Sequence, residues 1–74
     1  MKLKLYKELW QSRFQKMLEL ERGAVRDYEE LLAESRAKFK KAALEAHLEH
    51  LIADEKKHAR LVEELLEILK RQPE

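Results

Sequence analysis

The chain reads as an all-α protein, an antiparallel hairpin of two long helices. Three observations predict this. Of its 74 residues, 42% are charged, yet there is one glycine and one proline, a composition suited to long exposed helices laced with ion pairs. Apolar residues recur at steps of three and four in both halves. Between Tyr28 and Leu51 there is no glycine and no proline, and only Ser35 offers capping chemistry to mark a turn.

The first five residues alternate lysine and leucine and place positive charge where a helix N-terminus prefers negative, so Met1–Leu5 is expected to fray. From Tyr6 the helical pattern sets in, with Tyr6, Trp10, Phe14, Met17, Glu21, Ala24, Tyr28 and Leu31 on one seam. Ser12 and Gln15 match a capping box, but the apolar pattern runs through them, and one helix over about 6–35 is expected. Gly23 costs that helix about 1 kcal/mol relative to alanine, which predicts a close approach there by another backbone or a metal-bound group.

In the second helix, about 40–71, Leu44, Leu48, Leu51, Glu55, His58, Val62, Leu65 and Leu69 follow one another by threes and fours, and Pro73 closes the helix. The turn is expected within Ser35–Lys40. At a rise of about 1.5 Å per residue, Glu21 lies level with Glu55 only if the chain reverses near their midpoint, residue 38. A turn at Ser35 itself would misalign them by roughly 9 Å. An unbroken helix exchanged between two chains satisfies the same pattern.

Glu55 and His58 stand at i,i+3, about one turn apart on one helix face, inside an apolar seam. Glu21 repeats the anomaly on the first helix. A lone seam glutamate is usually a snorkelling edge residue, and a lone seam histidine a hydrogen-bonded core residue. A carboxylate on one helix facing Glu-x-x-His on the next is instead a metal-binding pattern of helical bundles, where a cation offsets the cost of buried charge.

Composition limits the alternatives. A chain this small gains only about 3–5 kcal/mol from a single core and needs a metal, disulfides or oligomerisation. With no cysteine, disulfides and thiolate metal sites are both excluded. A net charge of +1 gives no global pull toward nucleic acid or membrane, and the basic residues are scattered among glutamates. No stretch resembles a membrane span or a signal peptide, so a cytoplasmic protein is expected. There is no His-Glu-x-x-His, which argues against a zincin protease. His47 and His50, and His50 with Asp54 at i,i+4, form a weaker flank that could hold an accessory metal or be plain surface polarity.

The segment Leu18-Glu19-Leu20-Glu21-Arg22-Gly23-Ala24-Val25-Arg26-Asp27-Tyr28, followed by Asp54-Glu55-Lys56-Lys57-His58-Ala59, resembles the ferritin-like superfamily. There a glutamate precedes a tyrosine by seven residues and Glu-x-x-His follows on the next helix. A complete ferritin-like bundle carries this set twice; here it occurs once. The half-size form is similar to the encapsulated ferritins, and Leu44-Glu45-Ala46-His47-Leu48-Glu49-His50 adds to the likeness, which covers roughly Met17 to Leu69.

The resemblance implies a homodimer that rebuilds a four-helix bundle around a di-iron centre, assembled further as a ring of dimers and housed in an encapsulin shell. The activity it implies is that of a ferroxidase, oxidising Fe(II) to Fe(III) for iron storage or detoxification. Glu21, Glu55 and His58 from each chain would be the ligands and Tyr28 a hydrogen-bonding neighbour of one of them. Oxygen-rich ligands with one histidine per metal suit iron or manganese, and the affinity order also admits zinc. Three departures stand out. The connection is about one helical turn longer, Leu20 and Gly23 replace acidic residues that guide iron inward, and nothing after Leu69 resembles a shell-docking tail. Two other functions fit the same residues: a rubrerythrin-like peroxide-reducing di-iron protein, and a metal-free helical assembly or adaptor.

Overall fold

A computed structural model describes residues 2–73. Two helices, α1 (Lys2–Lys38) and α2 (Ala42–Lys70), pack antiparallel along their length into a rod of 56 × 14 × 11 Å. There is no strand among the described residues.

Helix α1 starts earlier than its charge pattern predicts. Met1 lies outside the described residues, but Lys2–Leu5 are helical rather than frayed. The Lys7 ammonium donates to the carbonyl oxygens of Lys70 (3.3 Å) and Gln72 (2.9 Å), tying the start of α1 to the end of α2. A cation at those unsatisfied carbonyls also complements the α2 dipole. The helix passes through Ser12 without a break.

The chain reverses over Phe39–Lys41, at the C-terminal edge of the expected window, and α2 follows in the same chain without an exchanged long helix. Ser35 does serve the turn, but through its backbone. Its carbonyl accepts the N–H groups of both Phe39 and Lys40 at 2.9 Å, while its buried Oγ has no partner. Lys40 adopts a left-handed φ of 51°, a conformation costing a side-chain-bearing residue about 1–2 kcal/mol. The following cap residue, Lys41, is extended and makes no side-chain cap. This reversal runs against local preference and is held by the packing of the helices on either side.

The core consists of two clusters. Leu18, Ala59, Val62 and Leu66, with Phe14 against them, fill the end away from the turn. Leu32, Leu48 and Ile52, with Val25 and Tyr28, fill the end near it. This corrects the expected seams. Leu44, Leu51 and Leu65 are exposed, as are Trp10, Met17 and Leu31, and the buried positions lie one step round each helix. Phe14, Glu21 and Tyr28 on α1, and Leu48, Glu55 and Val62 on α2, form central stripes with a heptad spacing. On one flank of these stripes Leu18, Val25 and Leu32 meet Ile52, Ala59 and Leu66. On the other flank Trp10, Met17, Leu31, Leu44, Leu51 and Leu65 are left open.

The two broad faces of the hairpin therefore differ. The back is polar and crossed by ion pairs, Arg22–Glu63 at 2.9 Å and Arg36 to Glu49 at 2.7 Å and Glu45 at 3.8 Å. The front is apolar. Of the fourteen large hydrophobic side chains exposed among the described residues, Trp10, Met17, Leu31, Leu44, Leu51 and Leu65 lie there together, beyond scattered surface leucines.

Candidate metal centre

Glu21 and Glu55 face one another across the middle of the hairpin, one from each central stripe, and His58 lies one turn further along α2 on the apolar front. The His58 Nδ1 is 3.9 Å from Glu21 Oε2 and 4.0 Å from Glu55 Oε1. One ligand atom from each of the three lies within 4.8 Å of the others, the one such group of three among the described residues.

These separations are too long for direct hydrogen bonds. Two donors each about 2.1 Å from a shared ion can stand up to about 4.2 Å apart, so both histidine–carboxylate pairs are within bridging reach. The carboxylates are largely shielded, with side chains 24% (Glu21) and 22% (Glu55) exposed, whereas His58 is 54% exposed.

The electrostatics of the pair are unbalanced. Glu21 Oε2 is buried and accepts no hydrogen bond. The Glu55 carboxyl is held above its ordinary value of 4.5, chiefly because the facing Glu21 carboxylate favours a proton shared between them. Burial and the charges of Glu21 and Asp54 push the same way, and His58 offsets part of the effect. A cation between the two carboxylates would satisfy the orphaned oxygen and replace that proton. The donor set fits a hard or borderline divalent ion.

The other expected residues fall elsewhere. Tyr28 packs its ring against the Leu32, Leu48 and Ile52 cluster. Among the described residues no hydrogen bond joins it to Glu21 or Glu55. His50 Nε2 lies 3.3 Å from Asp54 Oδ2 on the flank of α2, with the histidine side chain 76% exposed and no third ligand beside them. Gly23 faces outward, away from Glu21, and a Cβ there would meet nothing nearer than Arg26 Nη2 at 3.9 Å. Within one chain, then, nothing approaches this glycine closely.

Sequence reasoning missed the cross-helix pairs Arg22–Glu63 and Arg36–Glu49. Their positions on one side of each helix carried the signal, since opposite charges line that flank once α1 and α2 are laid antiparallel. Compared with family models, curated proteins and solved structures, the chain gives no match.

Proposed function

We propose that the chain is a ferroxidase in which two copies pair through their apolar front faces and oxidise Fe(II) between two sets of Glu21, Glu55 and His58. The observation that carries this reading is the cluster itself, two shielded carboxylates and an imidazole brought together from separate helices. The orphaned Glu21 oxygen and the proton-favouring Glu55 are groups whose charge a cation would balance. Half-exposed His58 sits beside the face that a second copy would cover.

Iron is the substrate in this scheme. Two Fe(II) ions held by four carboxylates and two imidazoles each give up one electron to one dioxygen. With two protons taken from solvent the products are two Fe(III) and one hydrogen peroxide. The carboxylates stabilise the higher charge of the ferric product, and Tyr28 keeps Glu21 and Glu55 in register by packing the helices together near them. Zinc, bound by the same ligands without redox chemistry, would inhibit. Ferric product leaves such a small assembly, so storage requires a surrounding compartment of encapsulin type; mixed alone with excess Fe(II) in air, the protein should precipitate ferric hydroxide.

The test is anaerobic Fe(II) titration with native mass measurement, followed by admission of oxygen. Two irons per dimer are expected, with rapid oxidation lost in Glu55→Ala and His58→Ala, slowed modestly in Tyr28→Ala, which removes the packing ring, and kept in Tyr28→Phe. Tight binding of two irons to a demonstrated monomer, or parental oxidation by Glu55→Ala, overturns the reading.

A further inference from the structure

The near-neutral total charge conceals two cationic ends, the turn and the open end of the hairpin. Residues 1–7 and 70–74 together hold Lys2, Lys4, Lys7, Lys70 and Arg71 against Glu74 alone. The first turn of α1 has no acidic residue. Helix α1 is 37 residues long and α2 is 29, and Lys7 already reaches the last carbonyls of α2, so the first residues of α1 project beyond their partner.

This projecting segment is strongly apolar on one side. Leu3, Leu5 and Tyr6 are 65%, 67% and 62% exposed, and Leu9 and Trp10 are also exposed. At about 100° per residue these five side chains span an arc of roughly 160°, while Lys4, Lys7 and Glu8 occupy the remainder. The apolar surface continues into a crevice of about 270 Å³ between Leu3, Tyr6, Trp10, Leu69 and Pro73. Leu5 and Leu9 lie outside the front face that carries Trp10, Met17 and Leu31, so pairing through that face does not account for them.

We propose that the open end of the hairpin docks on an anionic phospholipid surface. Among the described residues no helix is long and apolar enough to cross a membrane. The segment instead has the make-up of a helix that lies in the interface, with leucines and aromatics sunk below the headgroups and lysines reaching phosphate. The charge decides the occupant. A concentrated cationic end favours a negatively charged surface, and the wide apolar arc distinguishes a bilayer from nucleic acid or an acidic protein patch. This inference uses neither the metal cluster nor the pairing of two chains.

Trp10, the single tryptophan, reports on the segment directly. The intact protein is mixed with vesicles of phosphatidylcholine alone or with phosphatidylglycerol, each with and without brominated acyl chains. Expected are a blue shift and quenching of Trp10 by brominated anionic vesicles, reversed by added salt. The Leu5→Ser/Leu9→Ser variant should bind at least about tenfold more weakly at unchanged helicity, and Lys4→Glu should do likewise. Because Trp10 lies on the face by which two copies would pair, vesicle co-sedimentation is read beside its fluorescence. Three results would overturn the proposal: no co-sedimentation with anionic vesicles, equal binding to neutral ones, or parental binding by the Leu5→Ser/Leu9→Ser variant. Trp10 shielded from an aqueous quencher without lipid, together with no co-sedimentation, assigns the segment to a contact between copies of the chain.

Discussion

Replacing Glu55 by glutamine should strengthen the metal-free hairpin and abolish its response to metal. The Glu21 and Glu55 ligand atoms lie within 4.8 Å. Two unit charges at that separation repel by about 1 kcal/mol in water and about 3 kcal/mol at an effective dielectric of 20. The open front lets solvent screen the pair, so about 1 kcal/mol is expected. The pH dependence follows from the raised Glu55 value. A carboxyl that binds its proton more tightly when folded contributes stability fully present below the unfolded value near 4.5. That contribution is lost as pH rises through the folded value. Parent protein should therefore weaken across this window and Glu55→Gln should not show that part of the slope. Urea unfolding at fixed protein concentration, with and without Mn(II) as a metal that does not turn over, measures both effects. For the parent, metal at a hundredfold excess over Kd adds about 2.7 kcal/mol; for Glu55→Gln the gain should largely vanish. A variant less stable than the parent without metal, yet equally stabilised by it, would refute the pairing of these carboxylates at a cation site.

The corrected core makes a sharp comparison between neighbours. Leu18→Ala should cost about 2–5 kcal/mol, whereas Leu20→Ala, a residue 67% exposed, should stay within about 0.5 kcal/mol; both are read from urea midpoints. Gly23→Ala should stabilise the chain by about 0.5–1 kcal/mol, because the added methyl meets only the far end of Arg26. In the turn, Lys40→Gly relieves the left-handed strain and Lys41→Asp supplies the absent cap. Each should raise the thermal midpoint, by an amount equivalent to about 1 kcal/mol, without altering helix content by circular dichroism.

The parts of this structure that could be read from the sequence are those set by spacing within one helix. Steps of three and four place Glu21 on the central stripe of α1 and Glu55 on that of α2, and i,i+3 spacing brings His58 beside Glu55. The rise per residue then fixes a reversal near residue 38 as the condition for the glutamates to meet. The choice of buried flank was not legible in the same way. Val25 and Leu32 lie on one side of the α1 stripe, Met17 and Leu31 on the other, and both sides are apolar at heptad intervals. The side that closes is the one where Arg22 meets Glu63 and Arg36 meets Glu49, a match that exists only once two helices are laid together. The start of α1 was misjudged for a similar reason. Just past its unfavourable lysines, Lys7 is placed by distant carbonyls at Lys70 and Gln72, which no local rule describes.

The ambiguity of the flanks bears on the chemistry. Glu21 and Glu55 occupy stripes that belong to both faces at once, so the hairpin core packs on one side of them without consuming their oxygens. His58 is on the open side and takes no part in either core cluster. Fold and polar cluster are thus separable within one chain: aliphatic side chains hold the helices together, the two carboxylates meet between them, and His58 faces outward among apolar neighbours. Were the trio to hold a metal, as proposed, its remaining coordination positions would come from water or from a second copy. Covering the apolar front with a second copy would exclude water and strengthen every charge interaction at the site. Burial of the open leucines and completion of the metal site would then be one event, and the energetic cost of two facing carboxylates would fall on the unpaired, metal-free chain.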